Sequence, residues 1–594
     1  MLLRRLTIGF VAAALCVAGT TACGQGAAPP APARQPSDAR VRALADAYLA
    51  AYFDRYPETV TQYGVPGHRQ DSLTDNSLAA QKVWEAREDA WLAEVIRIDP
   101  KTIDSSSLRA TLAIIRQTIE GAVAKRVCRD ELWNVSQMTG WQVTDGYLVT
   151  IQPVGAEEAR QDALKRWGTL PKYIDTEIAN LREGITLGYT APKQNVRIVI
   201  DQVRSLAATR VKDSPFGSPS LRDKTPEFQK RFDALVAGEI HSAARRYADF
   251  LDKEYLPAAR EATPVSANPN GAACYDASVR YYSSSPRTAK DVHALGLQQV
   301  EQLTAEMKII AERAFQTSNV AAALQRLRTD QKYKFKDRAA KIAYSQAALA
   351  RAKASMAGVF GLLPKADVVI TPYPAFREKN APNEYNPPAE DGSRPAVFFI
   401  SAYQAEKQSR VADESTAFHE TIPGHHLQGA IALERTNIHP IGRYLFNSGY
   451  VEGWALYAER LADELKLFTG DVDRMGLLSS QTLRASRLVV DSGLHTLGWT
   501  RQQAIDYMLA HTAESEHAVA SEVDRYIILP GQATSYMLGM LEIRAARDEA
   551  QKVMGARFDI KAFHDRVLED GGVPLTYLRE KIREWASRPP VPVN

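Results

Sequence analysis

Beyond residue 38, apolar positions recur at alternating three- and four-residue spacing, the period of a helix that buries one face. VRALADAYLAAYFDRYP (Val41 to Pro57) shows the pattern, and Pro57 predicts its stop. The same period runs through LAAQKVWEAREDAWLAEVIRI and SLRATLAIIRQTIEGAVAKRV. It returns in YADFLDKEYLPAAREA, DVHALGLQQVEQLTAEMKIIAERAF and DRAAKIAYSQAALARAKASMAGVFGLL. No fixed-period repeat links these stretches, which argues against a helical solenoid. Strand-like runs are few. DVVITP (Asp367 to Pro372) and PAVFFIS (Pro395 to Ser401) start 28 residues apart. Between them, NEYNPPAEDGSRP reads as a Pro/Gly-rich loop. The pattern predicts a mainly α fold with a small β-sheet, built as one large helical unit over residues 39–594.

The first 38 residues break this pattern. Arg4 and Arg5 precede an apolar, small-residue run from Ile8 to Gly19, and Thr20-Thr21-Ala22-Cys23 follows. Residues 1–22 therefore read as an export signal of the lipoprotein type. Cys23 becomes the lipidated first residue of a protein anchored to the cell-envelope membrane. Residues 23–38, rich in Pro, Ala and Gln, form a flexible tether. Export changes the reading of the remaining cysteines. Cys128 and Cys274, 146 residues apart, become a candidate disulfide in an oxidising compartment.

Composition narrows the function. The chain has 594 residues, 45% hydrophobic and 24% charged, which excludes disorder throughout. Lys+Arg is 73 against Asp+Glu 70, a net charge of +3 with no long basic run, so nucleic acid is not an expected partner. No internal apolar stretch reaches the ~20 residues of a membrane-spanning helix. A GxSxG nucleophile elbow and a phosphate-binding GxxxxGK[ST] loop are both missing from the sequence.

The chemistry concentrates in ADESTAFHETIPGHHLQGAIALE (Ala412 to Glu434). His419 followed directly by Glu420 is the core of the zincin arrangement: imidazole holds zinc and the adjacent carboxylate takes a proton from water. In the common form, the second His lies four residues on, but here that position is Pro423. The next histidines, His425 and His426, stand at +6 and +7, out of register on a regular helix. Pro423-Gly424 predicts a distortion that brings His425 back to the metal. Dipeptidyl peptidase III, whose motif carries one extra residue between its histidines, is a precedent in kind. VFFIS lies upstream, where zincins place the edge strand that pairs with an extended substrate.

GYVEGWALYAERLADEL supplies Glu452, 33 residues after His419, as the third ligand. Glu459, seven residues further on, orients a ligand from behind. Arg487, Asp491 and His495 follow at four-residue spacing. Their spacing suggests a relay in which Arg487 pairs with Asp491 and Asp491 fixes the tautomer of His495, which donates to the oxyanion. A buried structural network is the other reading of the same spacing. Tyr536, after Pro530-Gly531, is a phenol candidate for the oxyanion.

The ordered segments HETIPGHHLQ, GYVEGWALYAERLADEL, RLVVDSGLHTLGW, LPGQATSYMLGMLEIR and FDIKAFHDRVLEDGGVPLTYL resemble the bacterial domain-of-unknown-function family 885. NEYNPPAEDGSRPAVFFI and LWNVSQMTGWQ match it as well. The resemblance covers most of the chain beyond Ala39. The family pattern falls on His419, Glu420, Pro423, Gly424, His425 and Gln428 and leaves His426 on a variable position, which favours His425 as ligand. It implies a mostly helical fold with a zincin-like core. Glu452 with Glu459 is similar to the paired glutamates of thimet-oligopeptidase-like and carboxypeptidase-Taq-like enzymes.

The expected function is an exported zinc metallopeptidase acting on short peptides, with one zinc held by His419, His425 and Glu452 and other divalent metals as substitutes. Glu420 acts as general base, with His495 or Tyr536 at the oxyanion. Two alternatives stand beside it: a metal-dependent amidase acting on a non-peptide amide, and a non-catalytic peptide-binding envelope lipoprotein.

Overall fold

The helices begin where the apolar period begins. This computed structural model describes residues 37–373, 378 and 383–589. The export signal read over 1–22, Cys23 and the tether as far as residue 36 lie outside the described residues. The first helix, Ser37–Arg55, takes in the last two residues assigned to the tether and buries Val41, Leu44, Tyr48 and Leu49. Pro57 does more than end it. With no N–H to leave unpaired, it opens the next helix, Pro57–Tyr63, which Gly64 closes in the left-handed conformation.

Side-chain caps set other boundaries. Ser77 and Ser105 accept from backbone N–H groups at the starts of Leu78–Val95 and Ser106–Lys125. Thr288 and Asp291 form a reciprocal box on Ala289–Phe315. The run from Tyr247 is less regular than its period suggests: His241–Phe250 widens into a π-turn at Leu251–Tyr255 before ending at Ala258.

From Ser37 onward the chain is one compact unit with more than one core. Helices between Trp141 and Ala258 pack around Trp167, Phe216, Phe232 and Tyr247. The larger core joins the N-terminal helices to the C-terminal half. Its spine is Asp471–Thr496, a helix buried along most of its length and packed against Ala289–Phe315. Cys128 and Cys274 are joined as a disulfide that ties the segment after Ser106–Lys125 to helix Gly271–Ser283. No helix among the described residues is long and apolar enough to cross a membrane.

The sheet has three strands: β1 (Val368–Pro372), β2 (Glu384–Asn386) and β3 (Ala396–Ile400), in the order β1-β3-β2. β1 runs parallel to β3 and β2 antiparallel to it. This corrects two expectations. The segment read as a loop contains β2, a three-residue strand with polar Glu384 and Asn386, too short and too polar to show a period. VFFIS is the central strand rather than an edge: Ala396, Phe398 and Ile400 are buried, and both of its sides are paired.

Candidate metal centre

Helix Asp413–Glu420 carries His419 and Glu420 and stops there. The chain turns through Thr421 to Gly424 and restarts as helix His425–Glu434. The distortion expected at Pro423-Gly424 is thus a complete break between two helices. Gly424 N–H donates to Phe418 O at 3.0 Å, folding the turn onto the preceding helix. A Cβ on Gly424 would lie 1.9 Å from His419 O, so only glycine fits this approach. Trp454 Nε1 donates to Pro423 O at 3.0 Å and holds the turn from the helix below.

That helix, Ser448–Glu464, brings Glu452 under both histidines. Glu452 Oε2 lies 3.6 Å from His419 Nε2 and 3.4 Å from His425 Nε2. The two rings stand edge to face, with centroids 4.7 Å apart. Ligand atoms of His419, Glu420 and His425 also lie within 4.8 Å of one another, so two carboxylates compete for a third position. Glu452 is the better placed. Its Oε2 is buried without a hydrogen-bond partner and faces both Nε2 atoms, and His425 Nδ1 is buried and unpartnered as well. Ligand bonds of ~2.0–2.1 Å at tetrahedral angles separate neighbouring donors by ~3.3–3.4 Å, close to the spacings found here.

The other side of His419 is fixed. Its Nδ1 lies 2.8 Å from Glu459 Oε1. Glu459 Oε2 accepts from Ser415 Oγ at 2.7 Å and Gln481 Nε2 at 3.1 Å. With the proton on Nδ1, the Nε2 lone pair points toward Glu452, the arrangement by which a buried carboxylate orients a metal-binding imidazole. Burial alone would depress the His419 pKa, but Glu452 and Glu459 hold it up at about 9. Burial likewise opposes ionisation of Glu452, yet His419 and His425 hold it well below the carboxylate range. A metal ion bound between these groups would have to displace the His419 proton. Glu420 is half-buried, and burial together with Glu452 raises its pKa against the pull of the two histidines.

His426 is excluded as a ligand. Its Nε2 donates to Ala366 O at 3.0 Å, which leaves Nδ1 to accept from Tyr385 OH at 3.1 Å. Tyr385, on β2, escaped the sequence reading because its strand did.

A close helix crossing brings Tyr536 within the field of Glu452. Ser535–Met554 packs on Ser448–Glu464, where a Cβ on Gly539 would lie 1.8 Å from Gly449 O. Ser448 and Ser535 hydroxyls bond at 2.8 Å across the same contact. Burial and the neighbouring Glu452 carboxylate raise the Tyr536 pKa, so the phenol keeps its proton. The Arg487 guanidinium lies 4.3 Å above the Tyr536 ring.

The Arg487–Asp491–His495 relay does not form. His495 is fully buried, and its Nδ1 accepts from Val265 N–H while its Nε2 donates to Tyr526 O, both at 3.0 Å. Burial drops its pKa to about 4. Its one N–H is spent on Tyr526 O, so it cannot donate to an oxyanion, and it belongs to the core. Asp491 lies 4.0 Å from it, beyond hydrogen-bond range, and accepts instead from Tyr275 OH at 2.8 Å and Gly531 N–H at 3.0 Å. Arg487 pairs with Glu522 at 2.7 Å and with Tyr526 OH at 3.0 Å. Four-residue spacing put the three on one face, but tertiary partners outcompeted the neighbours along the helix. Ser415, four residues before His419, was legible as sharing its face. Gln481 and Arg484, which lies 3.9 Å from Glu459, carry no sequence signal.

A large helical protein with a His-Glu helix, a broken turn and a buried Glu pair is the class that fold and site define. The sequence profile described as "Bacterial protein of unknown function (DUF885)" matches residues 57–582, and the chain belongs to that family. A crystal structure from Colwellia psychrerythraea, provisionally described as a lipoprotein, superposes with a TM-score of 0.86 at 24% identity, covering 93% of this chain and 99% of that one. Another solved structure, from Shewanella oneidensis, provisionally described as a lipoprotein of unknown function, gives 0.71 at 17% identity, covering 90% and 98%. Both share the fold. None of the curated proteins compared matches the chain.

Proposed function

We propose that this protein is an exported, metal-dependent hydrolase that cleaves short peptides in a zincin-like site. The observation that carries the reading is the convergence of His419 Nε2 and His425 Nε2 on an unpartnered Glu452 Oε2, at 3.6 and 3.4 Å. Two imidazoles and a carboxylate suit zinc, and the same set accepts manganese, cobalt or iron. A bound divalent ion would supply Lewis-acid activation of water and of the scissile carbonyl.

The chain's own groups divide the remaining work. Glu420, its pKa raised by burial, takes the proton from the attacking water and delivers it to the leaving amine. Tyr536, protonated beside Glu452, donates to the oxyanion. Glu459 holds His419 in the ligating tautomer. Export with a lipid anchor at Cys23 is supported by the Cys128–Cys274 disulfide and by the lipoprotein descriptions of the two structural neighbours.

The test is a mass-spectrometric cleavage profile of a mixed peptide library by the zinc-loaded protein and by Glu420→Gln. Cleavage by the first, lost at least about a hundredfold in the second with metal retained, is the expected result. Metal bound with no cleavage by either would sink the peptidase reading and turn the search to non-peptide amides.

A further inference from the structure

A cavity of about 430 Å³ opens beside Glu452, which is both one of its wall residues and a member of the candidate centre. Its walls are aromatic: Tyr52, Tyr63, Tyr281, Tyr282, Tyr444 and Phe446. The rings offer faces and edges together. Tyr281 and Tyr282 stand at 85° with centroids 5.0 Å apart, and Tyr63 meets Tyr444 at 60° and 5.6 Å. Glu452 is the sole charged residue among the described residues lining it. Lys125 sits against the Tyr281 and Tyr282 rings, 5.8 and 5.9 Å from their centroids, and is not part of the wall. A charged substrate side chain would find no counter-ion there beyond the carboxylate committed to the centre. A benzene ring needs a cavity of only ~150 Å³, so this one holds an aromatic side chain with adjoining backbone.

We propose that this cavity is the specificity pocket and that it takes an aromatic side chain of the substrate, flanking the bond held at Glu452. The proposal rests on the peptidase reading above. Tyr hydroxyls with Gln117 and Asn447 in the wall admit a phenol as well as a phenyl ring, so Phe, Tyr and Trp are preferred over Ala, and acidic or basic residues are rejected.

The experiment compares kcat/KM for hexapeptides that differ at one central residue, using the full zinc-loaded chain. Aromatic peptides should exceed alanine peptides about 10- to 100-fold. Two variants probe the wall: Val451→Trp, which fills the cavity from the residue beside Glu452, and Tyr281→Ala, which removes a partly exposed ring whose loss leaves the core intact. Both should pull the aromatic-to-alanine ratio toward one. Cleavage with a ratio within threefold of one, or a ratio neither variant moves, overturns the proposal while leaving the peptidase reading standing. If no peptide is cleaved, that reading fails, and calorimetry of the same peptides on Glu420→Gln decides the pocket alone. Tighter binding of the aromatic peptides sustains it, and equal binding, or stronger competition by N-acetylated amino sugars, overturns it.

Discussion

Replacing Glu459 with Gln tests the carboxylate behind His419 with almost no change of shape. Glu459 is fully buried and receives three donors: His419 Nδ1–H, Ser415 Oγ–H and Gln481 Nε2–H. A carboxylate can accept all three; an amide cannot. If the amide oxygen keeps facing His419, its NH2 opposes the Gln481 NH2 at 3.1 Å and a buried donor is orphaned, costing ~1–3 kcal/mol of stability. If the amide flips, its NH2 forces His419 to accept at Nδ1 and to carry its proton on Nε2, where no lone pair remains for a metal. Either orientation weakens the ligand. The expected loss of metal affinity is about 10- to 100-fold, or ~1.4–2.7 kcal/mol. The assay is competition for zinc against a chelating dye at neutral pH, with circular dichroism to confirm the fold. Glu464→Gln, on the exposed end of the same helix, serves as control. A folded Glu459→Gln protein that binds zinc within threefold of the wild type would refute the argument.

Tyr536→Phe should lower kcat by about 10²–10³-fold with KM little changed, since a donor aimed at developing charge acts in the transition state. Steady-state kinetics on a cleaved peptide read this directly. Gly424→Ala should abolish metal binding, because its Cβ would overlap His419 O at 1.9 Å; chelator competition and thermal melting separate local from global damage. Burial raises the Asp491 pKa from 3.8 to about 7, so the folded state keeps a proton that the unfolded chain releases. Its contribution is fully present below about pH 4 and is lost as pH rises through 7, a change of ~4 kcal/mol at ~1.4 kcal/mol per pKa unit. Asp491→Asn should flatten this part of the stability curve, so denaturant melts of the two proteins should converge at low pH and separate in the variant's favour near pH 8.

Much of the fold was legible in the sequence because helix burial follows a local period. The stretches from Val41, Leu78 and Asp291 became helices close to their expected bounds, the stretch from Asp337 stopped at Ser355, short of Leu363, and short apolar runs marked β1 and β3. The grouping of His419, His425 and Glu452 was legible too, since few residue types offer such donors and Pro423-Gly424 foretold a distortion between the histidines. Tertiary structure alone decided the rest. β2 was hidden because three polar-flanked residues carry no period, and pairing on both sides moved VFFIS from the edge to the centre. His425 rather than His426 faces Glu452 because Ala366 and Tyr385, distant in sequence, occupy both nitrogens of His426. Arg487, Asp491 and His495 share a helix face, yet each took a stronger partner from another segment. Spacing fixes which side chains point the same way. Which of them meet depends on what the other helices bring, and a buried polar group bonds to the partner that best replaces its water.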